Sequence, residues 1–326
     1  MVGVWTCVVG LAASSSGRPR TTGAFLAARA TGALDAALDG GVLARAKTAA
    51  DQCAVTSTVA TYLEINGWIL TLGGTTLLVD PILEGSLDFG LPPAVYKAQK
   101  RCLPQSGLVA QLPRLDAVLI TQGLADHAHD ATLRALSAAG VRVPIVAPPS
   151  AEGAVSRHFG TAQLRLVSPG ETLTLDGRDG ASVSIRATSG ALVGPPWQAR
   201  ENGYILRGTG TASDAPSIYY EPHVEFDEVE LRQLAPIDVL ISPVVGQFLP
   251  AFELVHAADA TMRLVEALRP RTLIPMANGD IDASGLTAAL VRTVGSEASF
   301  RSRLGAAAPT VDMPSVVPAE PLVLTR

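Results

Sequence analysis

Asp126 and His127 stand where an apolar run, LDAVLI, gives way to a polar turn and then to a helical pattern. A carboxylate and an imidazole at such a strand end suit zinc or iron, because nitrogen donors and a hard oxygen together stabilise a divalent ion. His129 lies two positions on and would face the same way only if the segment were extended. A second signal, SIYYEPHVEFD, is an apolar strand ending at Tyr220, with Glu221, Pro222 and His223 at its rim. Asp126, His127 and His223 are thus the candidate chemistry-bearing residues at these strand ends. The other reading is a helix-capping aspartate with two partly exposed histidines and no metal. His158 and His256 fall in or at the start of helical patterns and read as surface or capping residues.

Asp80, Tyr220, Glu221 and Asn278 are further polar groups able to line a cleft. Arg200 or Trp197, on the long connection 189–203, is placed to cover it. Other chemistries find no support. GTGTASD lacks the lysine of a phosphate-binding loop, and no Gly-x-Ser-x-Gly elbow is present. Cys7, Cys53 and Cys102 are odd in number and spaced about fifty residues apart, which suggests neither a disulfide framework nor a thiolate zinc site. With 25 Lys plus Arg against 30 Asp plus Glu, the formal charge of -5 gives no electrostatic case for nucleic acid. No window resembles a membrane span. The expected partner is a small-molecule substrate or ligand.

Positioning such groups requires strands that end together. In ATYLEINGWILTLGGTTLLVDPIL, strands are expected over 60–65, 68–72 and 75–79, joined by Asn66–Gly67 and Gly73–Gly74 turns. Pro81 stops the third strand and leaves Asp80 at its tip. A proline-rich loop follows over 84–113, then the LDAVLI strand, and a helix over 130–139 stopped by Gly140. VRVPIVAP is a strand, AEGAVSRHFG a helix capped by Ser150, and AQLRLV a strand. TLTLDG, ASVSIRAT, NGYILRG and PSIYYEP form a meander. A strand from Asp238 to Ile241, the helix HAADATMRLVEALRP and the strand RTLIPM come next, and the chain closes with a helix over 284–292 and an edge strand. Strand–turn–helix units in both halves point to one α/β domain over 55–326.

The first 34 residues contain no Asp or Glu and are rich in alanine, serine, threonine and arginine. That is the composition of an organelle transit peptide, so residues 1–50 are expected to be a cleaved or disordered leader. A chloroplast address is favoured over a mitochondrial one, with the cytoplasm as the alternative. VGVWTCVVGLAA has the length of a secretory core, but no Lys or Arg precedes it.

The order of landmarks resembles the metallo-β-lactamase superfamily, most of all its branch of small metal-dependent hydrolases whose early strands end in an Asp-Pro pair, here Asp80–Pro81. The resemblance covers most of 55–280. It implies a four-layer αββα sandwich and a site built on a Thr-His-x-His-x-Asp-His loop holding two metals. Thr121, Asp126 and His127 match that loop, whereas Gln122 and Leu124 replace both histidines of the first site. Asn202–Gly203–Tyr204 is kept, without the histidine that precedes it in the family. Pro222–His223 stands in place of the Gly-Asp pair that bridges the metals, and Ala277 or Asn278 in place of the last histidine. Some plant and algal relatives are similarly altered, which suits the transit-like leader. The resemblance implies that Asp126, His127 and His223 hold one Zn2+ or Fe2+, with Asp126 and His127 catalytic, and two functions follow: a mononuclear hydrolase of an ester, amide, lactone or phosphoester, or a catalytically inactive, metal-free relative that binds a small molecule or a protein.

Overall fold

A computed structural model describes residues 41–326 except 178, 194–196, 251 and 257. The strands, in chain order, are β1 (Ser57–Tyr62), β2 (Trp68–Leu72), β3 (Thr75–Val79), β4 (Lys97–Gln99), β5 (Ala117–Leu119), β6 (Ile145–Ala147), β7 (Leu164–Leu166), β8 (Thr172–Asp176) and β9 (Ala181–Ser189). They continue with β10 (Asn202–Gly210), β11 (Ile218–Tyr220), β12 (Val239–Pro243), β13 (Gly246–Leu249), β14 (Phe252–Val255), β15 (Thr272–Met276), β16 (Asp282–Ser284), β17 (Arg292–Val294) and β18 (Pro321–Thr325). Two large sheets result, ordered β18-β1-β2-β3-β5-β6-β7 and β15-β12-β11-β10-β9-β8.

Period-2 alternation makes these strands sandwich. Trp68, Leu70 and Leu72, Leu77 and Val79, and Ala117 and Leu119 turn one face of the first sheet inward. They meet Val183, Ile185 and Ala187, Tyr204 and Leu206, Ile218 and Tyr220, and Ile274 and Met276 of the second. The intervening residues face outward and are covered as well. Ile69, Leu78, Val118 and Ile145 pack against Leu133 and Leu136 of the helix Asp130–Ala138. Ile205, Tyr219, Leu240 and Leu273 pack against Leu264, Val265 and Leu268 of the helix Ala258–Leu268, and against Phe300 and Leu304 of the helix Glu297–Ala307. Burial on both faces explains why runs such as VLISP read as continuous apolar stretches. The fold is the αββα sandwich expected from the sequence.

Each sheet mixes antiparallel and parallel pairs. β3 and β5 run parallel with Val79 opposite Leu119, so Asp80 and Thr121 emerge at one end. β11, β12 and β15 are parallel in the second sheet, sending Glu221 and the segment after Met276 out of their carboxyl ends. Ligands gather at such strand ends because the chain there is released from ladder pairing into loops.

Several expectations are corrected. The first strand begins and ends three residues earlier than expected, because Glu64 and Ile65 have positive φ (66° and 55°) and form the turn with Asn66 and Gly67. Ser150 does not cap a helix; it lies in a 3-10 turn, and its hydroxyl serves Glu201. No helix occupies 284–292, where β16, a single 3-10 turn and β17 lie; the helix follows at Glu297–Ala307, started by a Ser296–Ser299 capping box. The edge strand, β18, pairs with β1 as expected.

Of the leader expected over 1–50, positions 1–40 lie outside the described residues. Positions 41–50 belong to the domain. The helix Ala44–Asp51 lies on the first sheet's outer side, and Leu43, Ala46 and Ala50 are buried. Alanine-rich composition hid this contact, since alanine suits a leader and a tightly packed helix equally. Because Leu43 is 0% exposed in the cluster with Leu63, Leu78 and Leu108, Leu43→Ala is expected to cost about 2–5 kcal/mol. Urea unfolding measures this; a loss below ~0.5 kcal/mol, the range of surface substitutions, would show that the segment is not part of the cooperative core.

Candidate metal site

The site is built around Asp80, fully buried at the tip of β3 and held at φ 39°, a backbone conformation that non-glycine residues rarely adopt. Its Oδ1 accepts the Thr121 backbone N–H at 2.8 Å, and its Oδ2 accepts the Thr121 hydroxyl at 2.6 Å. His127 Nδ1 lies 2.9 Å from the same Oδ2 and 2.9 Å from Thr121 Oγ1, so its proton is shared between them. Tyr220, from the other sheet, donates its hydroxyl to Asn66 O at 2.8 Å and stands 3.2 Å from Asp80 Oδ2. Each donor fixes the carboxylate, and the carboxylate in turn fixes the imidazole.

With Nδ1 anchored, His127 presents Nε2 on its other side. Asp126 Oδ2 lies 3.3 Å from that nitrogen, as does the Asn66 side-chain nitrogen. The His223 ring approaches to 5.1 Å between centroids, at 43°. One donor atom from each of Asp126, His127 and His223 falls within 4.8 Å of the others. Bonds of about 2.1 Å bring donors roughly 3–4 Å apart, so a small closure of the cluster suffices for an ion.

The polar atoms left over decide whether a cation suits this place. Asp126 Oδ1, Gln122 Oε1 and Glu221 Oε1 are buried with no hydrogen-bond donor. All three are acceptors, and a buried acceptor without a donor costs about 1–3 kcal/mol, more when charged. An excess of lone pairs is what a positive ion satisfies. The residues therefore fit a metal, and the Asp80–His127 contact is the carboxylate–imidazole support that orients metal-ligating histidines. Asn66 is the competing feature, since its carboxamide covers the nitrogen that a metal would take.

The other expected site residues are accounted for. Asn278 donates to Pro222 O at 3.0 Å and to Asn66 Oδ1 at 3.4 Å, and accepts from Gln247 at 3.4 Å, so it closes the rim without joining the ligand cluster. Glu221 receives the His223 and Glu225 backbone N–H groups on Oε2. His129 turns away, to Thr132 Oγ1 and Ser86 O. His158 pairs with Asp130, and His256 lies near Glu253 and Glu225. Arg200 is tied to Glu225 and Gly190 O, while Trp197 is 86% exposed. Leu124 brings no donor; its carbonyl receives the backbone N–H groups of His127 and Ala128, which forms the turn.

Three contributors escaped the sequence reading. Asn66 counted as a turn residue, though its turn folds over the site. Gln122 counted as a loss, yet its amide lies 2.8 Å from His223 Nδ1. Glu201, directly before Asn202–Gly203–Tyr204, is buried and accepts the Ser150 hydroxyl at 2.5 Å. Burial raises its pKa against the lowering effect of that hydrogen bond and of the His127 and His223 charges. A charged residue abutting a recognisable strand was the available signal for Glu201.

Burial alone would lower the His127 pKa, but the Asp126 and Asp80 carboxylates outweigh it and raise the value from 6.5 to about 10. A raised folded-state pKa contributes stability that is complete below the unfolded value and lost as pH rises through the folded one. Metal-free protein is therefore expected to lose stability between pH 6.5 and about 10, and Asp126→Asn should move the loss to lower pH. Urea midpoints across that window, with the His127 imidazole titrated by NMR, check it; a flat profile would show that the imidazole is neutral throughout.

The family model of the beta-lactamase superfamily domain matches residues 60–277, and the chain belongs to that family. Solved structures agree on the fold. Igni18, a metallo hydrolase of the archaeon Ignicoccus hospitalis, superposes with a TM-score of 0.55 at 14% identity, over 83% of this chain and 99% of its own. An isothiocyanate hydrolase from Delia radicum gut bacteria gives 0.52 at 14% identity, over 82% and 98%. CmlA, a diiron β-hydroxylase of Streptomyces venezuelae, gives 0.54 at 18% identity, over 82% of this chain and 54% of its own. No curated protein sequence matches the chain.

Proposed function

We propose that the chain is a mononuclear metal-dependent hydrolase, with one zinc or iron ion held by Asp126, His127 and His223. The observation that supports it most is the convergence of one donor atom each from Asp126, His127 and His223 within 4.8 Å, where Asp126 Oδ1 is buried with no hydrogen-bond donor. A divalent ion held there would supply Lewis acidity, lowering the pKa of a water and polarising an acyl or phosphoryl oxygen. Asp80 keeps the proton on His127 Nδ1, so an ion would take Nε2 in place of the proton that Asp126 stabilises there. Three protein ligands leave a position open, as hydrolytic sites require. The solved relatives named as hydrolases are compatible with cleavage of an ester, amide, lactone or phosphoester.

A metal-free binding role is the second reading, and one feature favours it. Asn66 already occupies the space beside His127 Nε2, and Asp126 pairs with the same imidazole, so the cluster is partly self-satisfied.

Metal content of untagged protein and zinc titration by calorimetry separate the two. One ion per chain is expected in wild type and none in His223→Ala, with His256→Ala unchanged. Ester, lactone and phosphoester hydrolysis should follow the metal. Wild-type protein that takes up no divalent ion at micromolar concentration would establish the binding role instead.

A further inference from the structure

Gln122 occupies the position that holds a metal-ligating histidine in the resemblance described above, and its side chain is fully buried. Its backbone is pinned on both sides. Thr121 N donates to Asp80 Oδ1, Asn202 N donates to Thr121 O at 3.1 Å, and Gly123 N donates to Ser150 Oγ at 3.2 Å. The amide is thus delivered to His223 Nδ1 at 2.8 Å from a fixed direction. Among the described residues no other hydrogen bond to that nitrogen is formed, and Glu221 Oε1 is 3.6 Å away, beyond hydrogen-bond distance.

A neutral imidazole carries one proton and one lone pair, and the partner of one nitrogen settles the role of the other. If the Gln122 NH2 donates, Nδ1 is the acceptor, Nε2 carries the proton, and His223 has no lone pair left for an ion. If Gln122 Oε1 accepts, Nδ1 carries the proton and Nε2 is free to ligate. The two arrangements differ by a half-turn of the carboxamide. The first leaves Oε1 buried without a donor; the second gives it the Nδ1 proton.

We infer that Gln122 is a positioning residue that sets the tautomer of His223: the NH2 faces Nδ1 in the metal-free protein, and the amide turns over when an ion takes Nε2. The second half of this inference rests on the mononuclear reading; the first does not. A lost ligand has thereby become the support of its neighbour, as Asp80 is for His127. A glutamine can face Nδ1 with a donor or with an acceptor, and whichever end faces the ring fixes the proton; a leucine offers neither and a carboxylate only acceptors.

Imidazole 15N–1H correlation spectra of full-length protein, without metal and with zinc added, test it, with His127 as the internal reference. Wild type should show His223 protonated on Nε2 without metal and on Nδ1 with zinc. Gln122→Glu, which offers only acceptors, should hold the proton on Nδ1 in both conditions. Gln122→Leu should give a tautomer mixture and weaken zinc roughly 10–100-fold, the usual effect of removing such a support. Amide spectra confirm that each variant folds, and Gln122→Glu carries the test if Gln122→Leu does not. An identical His223 tautomer in wild type and Gln122→Glu overturns the inference, even if zinc binds. A tautomer that follows residue 122 in protein that binds no zinc upholds tautomer control and removes the hydrolase reading.

Discussion

The Asp80 carboxylate is the point on which the site depends. It is fully buried, and a buried charge is tolerable only when paired and hydrogen-bonded. Thr121 supplies two donors, His127 a third, and Tyr220 reaches toward it from the opposite sheet. One oxygen therefore ties the tip of β3 to the turn after β5 and to the end of β11. The ends of the two sheets are held together by charge and hydrogen bonding at the place where the apolar core gives out.

From that tie the electrostatics of the site follow. Asp80 and Asp126 flank one imidazole, which accounts for the high pKa of His127, while Asp126 is drawn low by its neighbours in spite of burial. Moving outward, the site changes from charged to amide chemistry. Gln122 lies against His223, and Asn66, Asn278 and Gln247 link to one another through side-chain contacts. Amides both donate and accept, so they satisfy one another without an ion, whereas carboxylates and imidazoles gathered together do not. The boundary between these two chemistries runs through His223, one of the three residues of the candidate metal site.

The rim shows how the fold accommodates such changes. Gly279 lets Gln247 lie against the backbone, since a Cβ there would fall 2.0 Å from its side-chain nitrogen. Gly123 likewise lets the turn carrying Gln122 approach Ser150, where a Cβ would sit 2.3 Å from a carbonyl oxygen. These close approaches fix loops that the sheets alone would leave free, and the amide network needs them for its geometry.

Much of the architecture was legible in the sequence. The Asn66–Gly67 and Gly73–Gly74 turns gave β2 and β3 their limits, Pro81 marked the end of β3, and Gly140, with φ 78°, stops the helix where expected. These features are local, because strand period, proline and glycine act on their own backbone. Asp80, Asp126, His127 and His223 were identifiable as chemistry-bearing residues at strand ends for the same reason. The convergence of Asp126 and His223, nearly a hundred residues apart, the cover that Asn66 lays over His127, and the use of Gln122 as a partner of His223 were decided by the tertiary structure. So was the packing of Leu43 and Ala46, because alanine composition does not reveal which surface a helix meets. The residues by themselves determined which groups could do chemistry; the pairing of two sheets determined which lone pairs face one another, because hydrogen-bond partners across a core are set by geometry and not by neighbouring sequence.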